Sequence, residues 1–372
     1  MSPLDPWLLQ SSVWRCVEHL AAGEPVPHPI AVELHLGTTC NLACPECVSR
    51  PTLDTATFEP DRALGVAREL ASTGVRCVVL SGGGEPLLHP SAAGVMESLH
   101  DAGVSLGLVT NGTLLHLHLQ TVASCAARIR VSVDAATAAT YDRFRPQRGG
   151  GSSFQRVLRN LERIAPLAHD RLTYSFVLLT RQAGVGAPVD SNAADLAEAA
   201  RLAKSLGCAA FEVGIGLDAR LQPAPSHAHV SSLLSDQLHA ALQCADNDFR
   251  VFVDPMVADL AAGRGLREFP ARGYARCPAA QIRALVGPRG VSLCPRHQCL
   301  PRAIYGDPCV TPLREIWGGT AFQAAIARVD PRSDCTGACM SMQLNDQLLC
   351  AVDWLRTHGA APPLTDDHDL FM

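Results

Sequence analysis

Short apolar runs alternate with helical periods along most of this chain from Ile30 onward. Near-continuous apolar runs of this kind are typical of strands that are buried on both faces. The stretches between the runs repeat apolar residues every three or four positions, which predicts helices that connect parallel strands by right-handed crossovers. The predicted strands are Ile30–Leu36, Val75–Leu80, Ser105–Thr110, Ile129–Asp134, Thr173–Leu179 and Ala209–Gly214. The predicted helices are Pro60–Ser72, Ala92–Ala102, Ala138–Arg143, Phe154–Ile164 and Ala193–Leu206.

Six strands that alternate with helices predict the α/β class and, specifically, a partial (β/α)6 TIM-like barrel. Such a barrel carries its chemistry on the loops at the C-terminal ends of the strands. Arg181–Asn192 is a loop rich in Gly, Pro and Val, which we interpret as an ordinary connection, with a lid as the alternative.

The character of the chain changes near Phe269. Seven of its 15 cysteines fall between Cys277 and Cys350, among many Pro and Gly residues and few long periodic segments. This composition predicts a small C-terminal domain that is stabilised by metal. We therefore divide the chain into an N-terminal helix and approach segment (1–29), a barrel (30–268), a Cys-rich domain (269–357) and a flexible tail (358–372).

Composition sets limits on the function. With 372 residues and 47% hydrophobic content, the chain is able to bury a large core. A formal net charge of -5 provides no basic field for nucleic acid or for an anionic membrane surface. The sequence contains neither a signal peptide nor an apolar run of membrane-spanning length. These features predict a cytoplasmic protein with no nucleic-acid or membrane partner.

The cysteine content points to metal. Fifteen cysteines are unusual for a protein without an export signal, because the cytosol keeps thiols reduced and disulfides are rare there. Metal ligation is then the leading explanation for most of them. We interpret Cys16, Cys77 and Cys125, which lie in apolar patterns, as small buried hydrophobic residues.

Three of the cysteines lie on one loop directly after the first predicted strand, at Cys40, Cys44 and Cys47. Three thiolates hold three corners of an iron–sulfur cubane and leave the fourth iron open to an external ligand. Zinc is the rival, but a C-x3-C-x2-C run lacks the paired knuckles that are usual for structural zinc.

Polar and glycine-rich loops follow the next three strands. The second strand ends in Gly82–Glu85, where glycines let the backbone approach a ligand closely and Glu85 offers a carboxylate. No Lys-Ser/Thr pair follows, which disfavours a nucleotide P-loop. The third strand ends at Asn111, in a turn. The two-residue strand period predicts that Ser132 and Asp134 share one face at the end of the fourth strand.

The C-x3-C-x2-C loop in this context resembles the signature of the radical S-adenosylmethionine (radical SAM) superfamily. The resemblance implies a [4Fe–4S] cluster on Cys40, Cys44 and Cys47, with S-adenosylmethionine bound at the open iron. Glu46 is a departure, since many members have an aromatic residue at that position. The further cofactor contacts that the resemblance implies are at Gly83, Gly84, Glu85, Asn111, Ser132 and Asp134.

The C-terminal cysteines, together with Gly290, Tyr305–Pro308 and Leu313–Trp317, resemble the SPASM or shorter "twitch" extension of the same superfamily. The match is imperfect, because the full CxxCx5CxxxC string is absent. The resemblance implies one auxiliary [4Fe–4S] cluster, and zinc bound by the same four thiolates is an alternative. The implied ligands are Cys277, Cys294, Cys335 and Cys339, with Cys299, Cys309 and Cys350 as alternates.

The histidines are less informative. We interpret His116, His118, His227 and His229 as non-ligands, because none has the spacing of a metal motif. His297 lies near Cys294 and Cys299, where it is a possible ligand or neighbour of a ligand, but we expect a solvated side chain.

The resemblance implies reductive cleavage of S-adenosylmethionine to a 5′-deoxyadenosyl radical that abstracts hydrogen from a substrate, with flavodoxin or ferredoxin as the reductant. Oxidation, epimerisation, elimination and sulfur insertion all remain open as outcomes. Members that modify peptides frequently carry an N-terminal peptide-binding domain, and only 29 residues precede the first strand here. We therefore expect a small molecule, such as a sugar, aminoglycoside or nucleoside. Modification of a ribosomally made peptide is the alternative. Outside this class stand an iron–sulfur electron carrier and a zinc-stabilised binding protein.

Overall fold

The structure is a computed structural model. It describes residues 4–182, 184, 187–218, 222–266, 269, 272–298, 300–335, 337–339 and 341–365. Its strands are β1 (Ala31–His35), β2 (Cys77–Ser81), β3 (Ser105–Thr110), β4 (Arg128–Ser132), β5 (Leu172–Leu178), β6 (Thr180–Gln182), β7 (Val189–Ser191), β8 (Ala210–Ile215), β9 (Arg250–Val253), β10 (Arg283–Gly287), β11 (Gly290–Ser292) and β12 (Ile304–Gly306).

The α-helices in the described residues are α1 (Ser11–Ala22), α2 (Pro60–Ser72), α3 (Ala92–Asp101), α4 (Leu119–Cys125), α5 (Ala138–Phe144), α6 (Phe154–Ala168), α7 (Leu196–Ser205), α8 (Ser231–Leu242), α9 (Pro255–Ala261), α10 (Ala279–Ile282), α11 (Leu313–Gly318), α12 (Thr320–Arg328), α13 (Pro331–Asp334) and α14 (Met342–His358). None of them, within those ranges, has the length and apolar content to cross a membrane.

One sheet of ten strands forms the centre of the fold, in the order β12-β11-β10-β1-β2-β3-β4-β5-β8-β9. From β10 to β9 every neighbouring pair is parallel, and β11 and β12 add an antiparallel edge. This largely parallel sheet with helical connections confirms the predicted α/β partial barrel. All six predicted strands are present, and β9 and β10 extend the parallel part beyond them.

The apolar pattern explains why these segments pair. β2 is buried at four of its five positions and β1 likewise, since helices cover one face of the sheet and side chains fill the other. In α2, for example, Ala63, Val66, Ala67 and Leu70 recur at helical spacing and all are buried. The interior cysteines Cys16, Cys77 and Cys125 are buried too, as predicted.

The Cys-rich segment joins the sheet through β10, which pairs in parallel with β1. A second apolar cluster links α1 to α14, where the rings of Trp14 and Trp354 meet edge to face at 5.9 Å. Few periodic segments were expected here, and α14 contradicts this. Its 17 residues bury Leu344, Leu348, Ala351 and Val352 at helical spacing. The division of the chain at residues 29, 268 and 357 stays a prediction, and residue 268 and the tail beyond residue 365 lie outside the described residues.

The segment that was interpreted as a plain connection contains a short hairpin. β6 and β7 pair antiparallel within it, with Arg181 opposite Asp190. Residues 183, 185 and 186, between the two strands, lie outside the described residues.

Candidate active site

Parallel strands end at the same edge of a sheet, so the loops after β1 to β4 converge there. The loop after β2 is hydrogen-bonded to the cysteine loop after β1. The amide of Gly84 donates to the carbonyl oxygen of Gly37 at 3.3 Å, and the amide of Glu85 donates to that of Thr39 at 2.9 Å. Two loops that were predicted separately from the sequence thus form one unit.

Glycine is required where these two loops touch. A Cβ atom on Gly84 would lie 1.9 Å from the carbonyl oxygen of Thr39, which is far inside van der Waals contact. A Cβ atom on Gly82 would meet the carbonyl oxygen of Gly84 at 1.9 Å. The missing side chains therefore allow the backbone of the β2 loop to pack directly on the backbone that precedes Cys40.

Glu85 is buried and points into the protein. Its Oε1 accepts hydrogen bonds from the Thr110 hydroxyl at 2.6 Å and the Leu87 amide at 3.2 Å, and its Oε2 accepts from the Asn111 amide at 2.8 Å. Burial raises the pKa of Glu85, and these hydrogen bonds act in the opposite direction. The carboxylate therefore ties the β2 loop to the end of β3.

Asn111 extends this network to the cysteine loop. Its Nδ2 donates to Oδ1 of Asn41 at 2.8 Å and lies 3.9 Å from Sγ of Cys40. The Asn41 amide in turn donates to the Thr113 hydroxyl at 2.8 Å. The predicted cofactor residue Asn111 thus contacts a predicted cluster ligand directly.

The thiols of Cys40, Cys44 and Cys47 are all partly buried. Burial raises the pKa of Cys40, and it raises the pKa of Cys44 to about 11. The positive charge of Arg145 acts in the opposite direction on both thiols. Three free thiols beside a fixed cation and a backbone cradle are a donor set that fits a cluster with three cysteine ligands.

Ser132 and Asp134 do not share a strand face, and this part of the sequence prediction is wrong. β4 ends at Ser132, and Asp134 has a φ of +60°, in the left-handed region, so the two-residue period has already ended. The Asp134 carboxylate instead forms a buried ion pair with Arg145, whose Nε donates to Oδ2 at 2.7 Å. The amide of Val177 donates to Oδ1 at 2.7 Å.

Arg145 was not predicted as a site residue. Burial alone would lower its pKa, but the adjacent Asp134 carboxylate and the Cys44 thiol raise it overall, so the guanidinium is charged. It is the C-terminal cap of α5 and its side chain is 14% exposed. The signal in the sequence was the segment Thr140–Pro146, which resembles members of the superfamily but does not identify the partner of Arg145.

A cavity of about 400 Å³ adjoins the cysteine loop, also at the C-terminal ends of the strands. Glu46 lies in its wall, and burial raises the pKa of this carboxyl group. His227 lies there too, with Nδ1 2.9 Å from the Thr180 hydroxyl and Nε2 3.0 Å from the carbonyl oxygen of Gly216. The cavity is lined by Pro45, Glu46, Cys47, Arg50, Pro51, Leu179, Thr180, Gly216, Leu217, Asp218, Ala224 and His227.

The four predicted auxiliary ligands line a second, more enclosed cavity of about 90 Å³. Burial raises the pKa of Cys277 and of Cys335 to about 11 in each case. Among the described residues, no three His, Cys, Asp or Glu side chains are grouped so as to hold a metal ion. The fit of this cavity to a cluster rests on the chemistry of its lining, which includes four thiols: Cys277, Cys294, Cys335 and Cys339.

The alternate ligands are separate from this cavity where they are described. Cys309 and Cys350 are exposed, and neither lines the cavity, while Cys299 lies outside the described residues. His297, which was expected to be solvated, lies instead in the cavity wall, with Nε2 3.4 Å from Sγ of Cys335. Asn345 contacts another predicted ligand, with Nδ2 3.4 Å from Sγ of Cys277.

A family model described as the Radical SAM superfamily matches residues 34–183. The AdoMet-dependent heme synthase of Methanosarcina barkeri is 32% identical over 191 residues, which cover 50% of this chain and 50% of the synthase. Mycofactocin maturase MftC of Mycobacterium tuberculosis is 28% identical over 204 residues, covering 54% of this chain and 47% of the maturase. The chain thus spans about half the length of these relatives.

Solved structures share the fold. Streptococcus suis SuiB bound to its precursor peptide SuiA has a TM-score of 0.61 at 12% identity, over 88% of this chain and 73% of SuiB. Because it covers 88% of this chain, the likeness extends beyond the residues 34–183 that the family model matches.

Proposed function

We propose that this chain, as a member of the radical SAM superfamily, reductively cleaves S-adenosylmethionine. The cleavage would drive the abstraction of hydrogen from a small molecule. The main support is that three loops contact one another at one edge of the sheet. These loops contain Cys40–Cys47, Gly82–Glu85 and Asn111. When bound, the [4Fe–4S] cluster supplies the electron that converts S-adenosylmethionine into methionine and a 5′-deoxyadenosyl radical.

The residues of the chain hold and orient these groups. Cys40, Cys44 and Cys47 would ligate three irons and leave the fourth open to S-adenosylmethionine. The backbone of Gly83 and Gly84 would face the methionine end of the cofactor. Glu85 would act indirectly, because its carboxylate accepts hydrogen bonds from Thr110 and Asn111 and holds them in place.

The end of β4 supplies the remaining predicted contacts. Ser132 is half-buried at the same edge of the sheet and would meet the ribose of S-adenosylmethionine. Asp134 would act through Arg145, because its carboxylate is committed to that guanidinium. The charge of Arg145 lies near the thiols and stabilises their thiolate forms.

An auxiliary cluster on Cys277, Cys294, Cys335 and Cys339 completes the proposal. Support comes from the enclosed cavity that all four of these residues line, although they come from three separate segments of the chain. A flavodoxin or ferredoxin would supply electrons to the first site.

The small-molecule assignment is supported by the cavity of about 400 Å³ beside Cys47, whose size is typical of ligand pockets. Glu46, Arg50 and Asp218 give this cavity polar groups that would orient a hydroxylated or amine-bearing substrate. Modification of a peptide is the second candidate, and it is supported by the similarity to mycofactocin maturase over 204 residues.

Anaerobic formation of 5′-deoxyadenosine from S-adenosylmethionine, with dithionite as the reductant, tests the proposal. Wild type is expected to form it, and the Cys40/Cys44/Cys47→Ala triple variant is not. A Cys309→Ala variant, which removes an exposed thiol outside both cavities, is the matched control and is expected to behave as wild type. Iron-loaded wild type that forms none, even with candidate sugars, aminocyclitols, nucleosides and peptides added, would contradict the proposal.

A further inference from the structure

The cavity lined by Cys277, Cys294, Cys335 and Cys339, called here the auxiliary cavity, has a further polar side chain in its lining. Four cysteine thiolates complete the protein ligation of a [4Fe–4S] cluster. His297 nevertheless lines the same cavity, with its imidazole beside Cys335. With the four cysteines on the four irons of such a cluster, an imidazole in this place would act on a ligand sulfur.

Local geometry fixes the position of His297. A short 3-10 helix, Pro295–His297, begins immediately after Cys294, and the amide of His297 donates to the carbonyl oxygen of Cys294 at 2.9 Å. One tight turn therefore delivers both a thiol and an imidazole to the cavity. Cys335 is the C-terminal cap of α13, whose Asp334 forms an ion pair with Arg302.

The direction of the contact follows from the chemistry of a ligated sulfur. The Nε2 of His297 lies 3.4 Å from Sγ of Cys335, within hydrogen-bond range for sulfur. A thiolate that ligates iron carries no proton and only accepts, so the imidazole N–H must donate. Hydrogen bonds to the sulfurs are among the factors that set the reduction potential of iron–sulfur clusters.

We propose that His297 is a positioning residue that donates a hydrogen bond from Nε2 to the Cys335 thiolate and thereby raises the reduction potential of the auxiliary cluster. The inference rests on the auxiliary cluster of the proposed function. It is independent of whether the first site cleaves S-adenosylmethionine. A higher reduction potential stabilises the reduced cluster. This property suits a cluster that accepts an electron from a substrate as the substrate is oxidised.

The test measures the midpoint potential of the auxiliary cluster by electron paramagnetic resonance during an anaerobic redox titration. The full chain is used with Cys40, Cys44 and Cys47 all replaced by alanine, so that only the auxiliary cluster contributes to the signal. In this background His297→Phe removes the donor and keeps the bulk, and His297→Gln keeps an N–H donor. His100→Phe, on the exposed side of α3, is the matched control.

A more negative midpoint potential in His297→Phe, with most of the shift recovered in His297→Gln and none in His100→Phe, supports the proposal. An unchanged potential in His297→Phe overturns it, and so does an equal shift in the Phe and Gln variants, which indicates altered packing. Zinc in place of iron in this background also overturns it. Failure of the proposed function would be seen separately, as missing 5′-deoxyadenosine in protein that retains Cys40, Cys44 and Cys47.

Discussion

The two cysteine sites of this molecule are built in opposite ways. The first presents three thiols on a single loop at the open edge of the barrel, and its surroundings come from the loops after β2, β3 and β4. The second is an enclosed cavity lined by four thiols from three separate segments, at Cys277, at Cys294 and at the close pair Cys335 and Cys339. One site is local in sequence and open in space, and the other is dispersed in sequence and closed in space.

The two sites differ in whether they leave an iron open to an external ligand. Three thiolates leave one iron for an exogenous ligand, so the first site has to be reachable and needs an external framework to orient that ligand. Four thiolates leave none, so the second site is able to bury its group and adjust it through neighbours such as His297 and Asn345. Substitutions at the two sites should therefore have separable effects.

The largest separation is expected between Cys44→Ala and Cys335→Ala. Loss of Cys44 removes one of only three ligands and should abolish 5′-deoxyadenosine formation, with about four fewer irons per chain. Loss of Cys335 should lower the iron content by a similar amount but leave cleavage of S-adenosylmethionine measurable. Iron analysis and chromatography of the nucleoside product check both. Equal loss of cleavage in the two variants would contradict the comparison.

The next effect concerns the buried ion pair behind the first site. Arg145→Met leaves the Asp134 carboxylate, which is 2% exposed, without its partner, so the free energy of unfolding should fall by about 4 kcal/mol. Urea denaturation of the iron-free chain measures this. Arg143→Met is the control in the same helix, since its more exposed pair with Asp190 should contribute only about 0.5 kcal/mol.

A double variant separates the lost charge from lost packing. Asp134→Asn keeps a residue that tolerates positive φ and removes the unpaired charge, so Asp134→Asn with Arg145→Met should recover part of the stability. No recovery would mean that the ion pair is not the source of the loss. The iron content of the second site should be unchanged in all these variants.

A smaller effect is expected at the contact between the first two loops. Gly84→Ala places a Cβ atom 1.9 Å from the carbonyl oxygen of Thr39, so the cysteine loop must shift and the free energy of unfolding should fall by about 2 kcal/mol. Iron at the first site should fall as well. Gly318→Ala is the matched control, because its Cβ meets nothing within 4 Å. An equal decrease in the free energy of unfolding in the two variants would show that the contact between the loops is not the cause.

The smallest effect is expected for the exposed thiols. The Cys309→Ala/Cys350→Ala double variant should keep the wild-type iron content, since neither residue lines the auxiliary cavity. Loss of about four irons per chain in this variant would show that the second site recruits ligands from outside its cavity.

Much of the barrel was predictable because its signals are local. The apolar run at Ser105–Thr110 matches β3 residue for residue, and α2 has the predicted bounds. The predicted C-terminal end of β4 was wrong. Asp134 adopts a left-handed φ because its carboxylate binds Arg145 and the amide of Val177, and the apolar pattern contains no trace of these contacts. The periodic pattern of α14 was present in the sequence but was obscured by the surrounding Pro, Gly and Cys residues.

The sequence by itself determined the parallel α/β fold and the cysteine loop after β1, because apolar period and close ligand spacing are properties of neighbouring residues. Only the tertiary structure decided that Glu85 faces inward, that Arg145 pairs with Asp134, and which C-terminal thiols share a cavity with His297. Those choices depend on contacts between residues far apart in the chain. Such contacts leave no periodic trace, because burial and pairing are set by the whole fold.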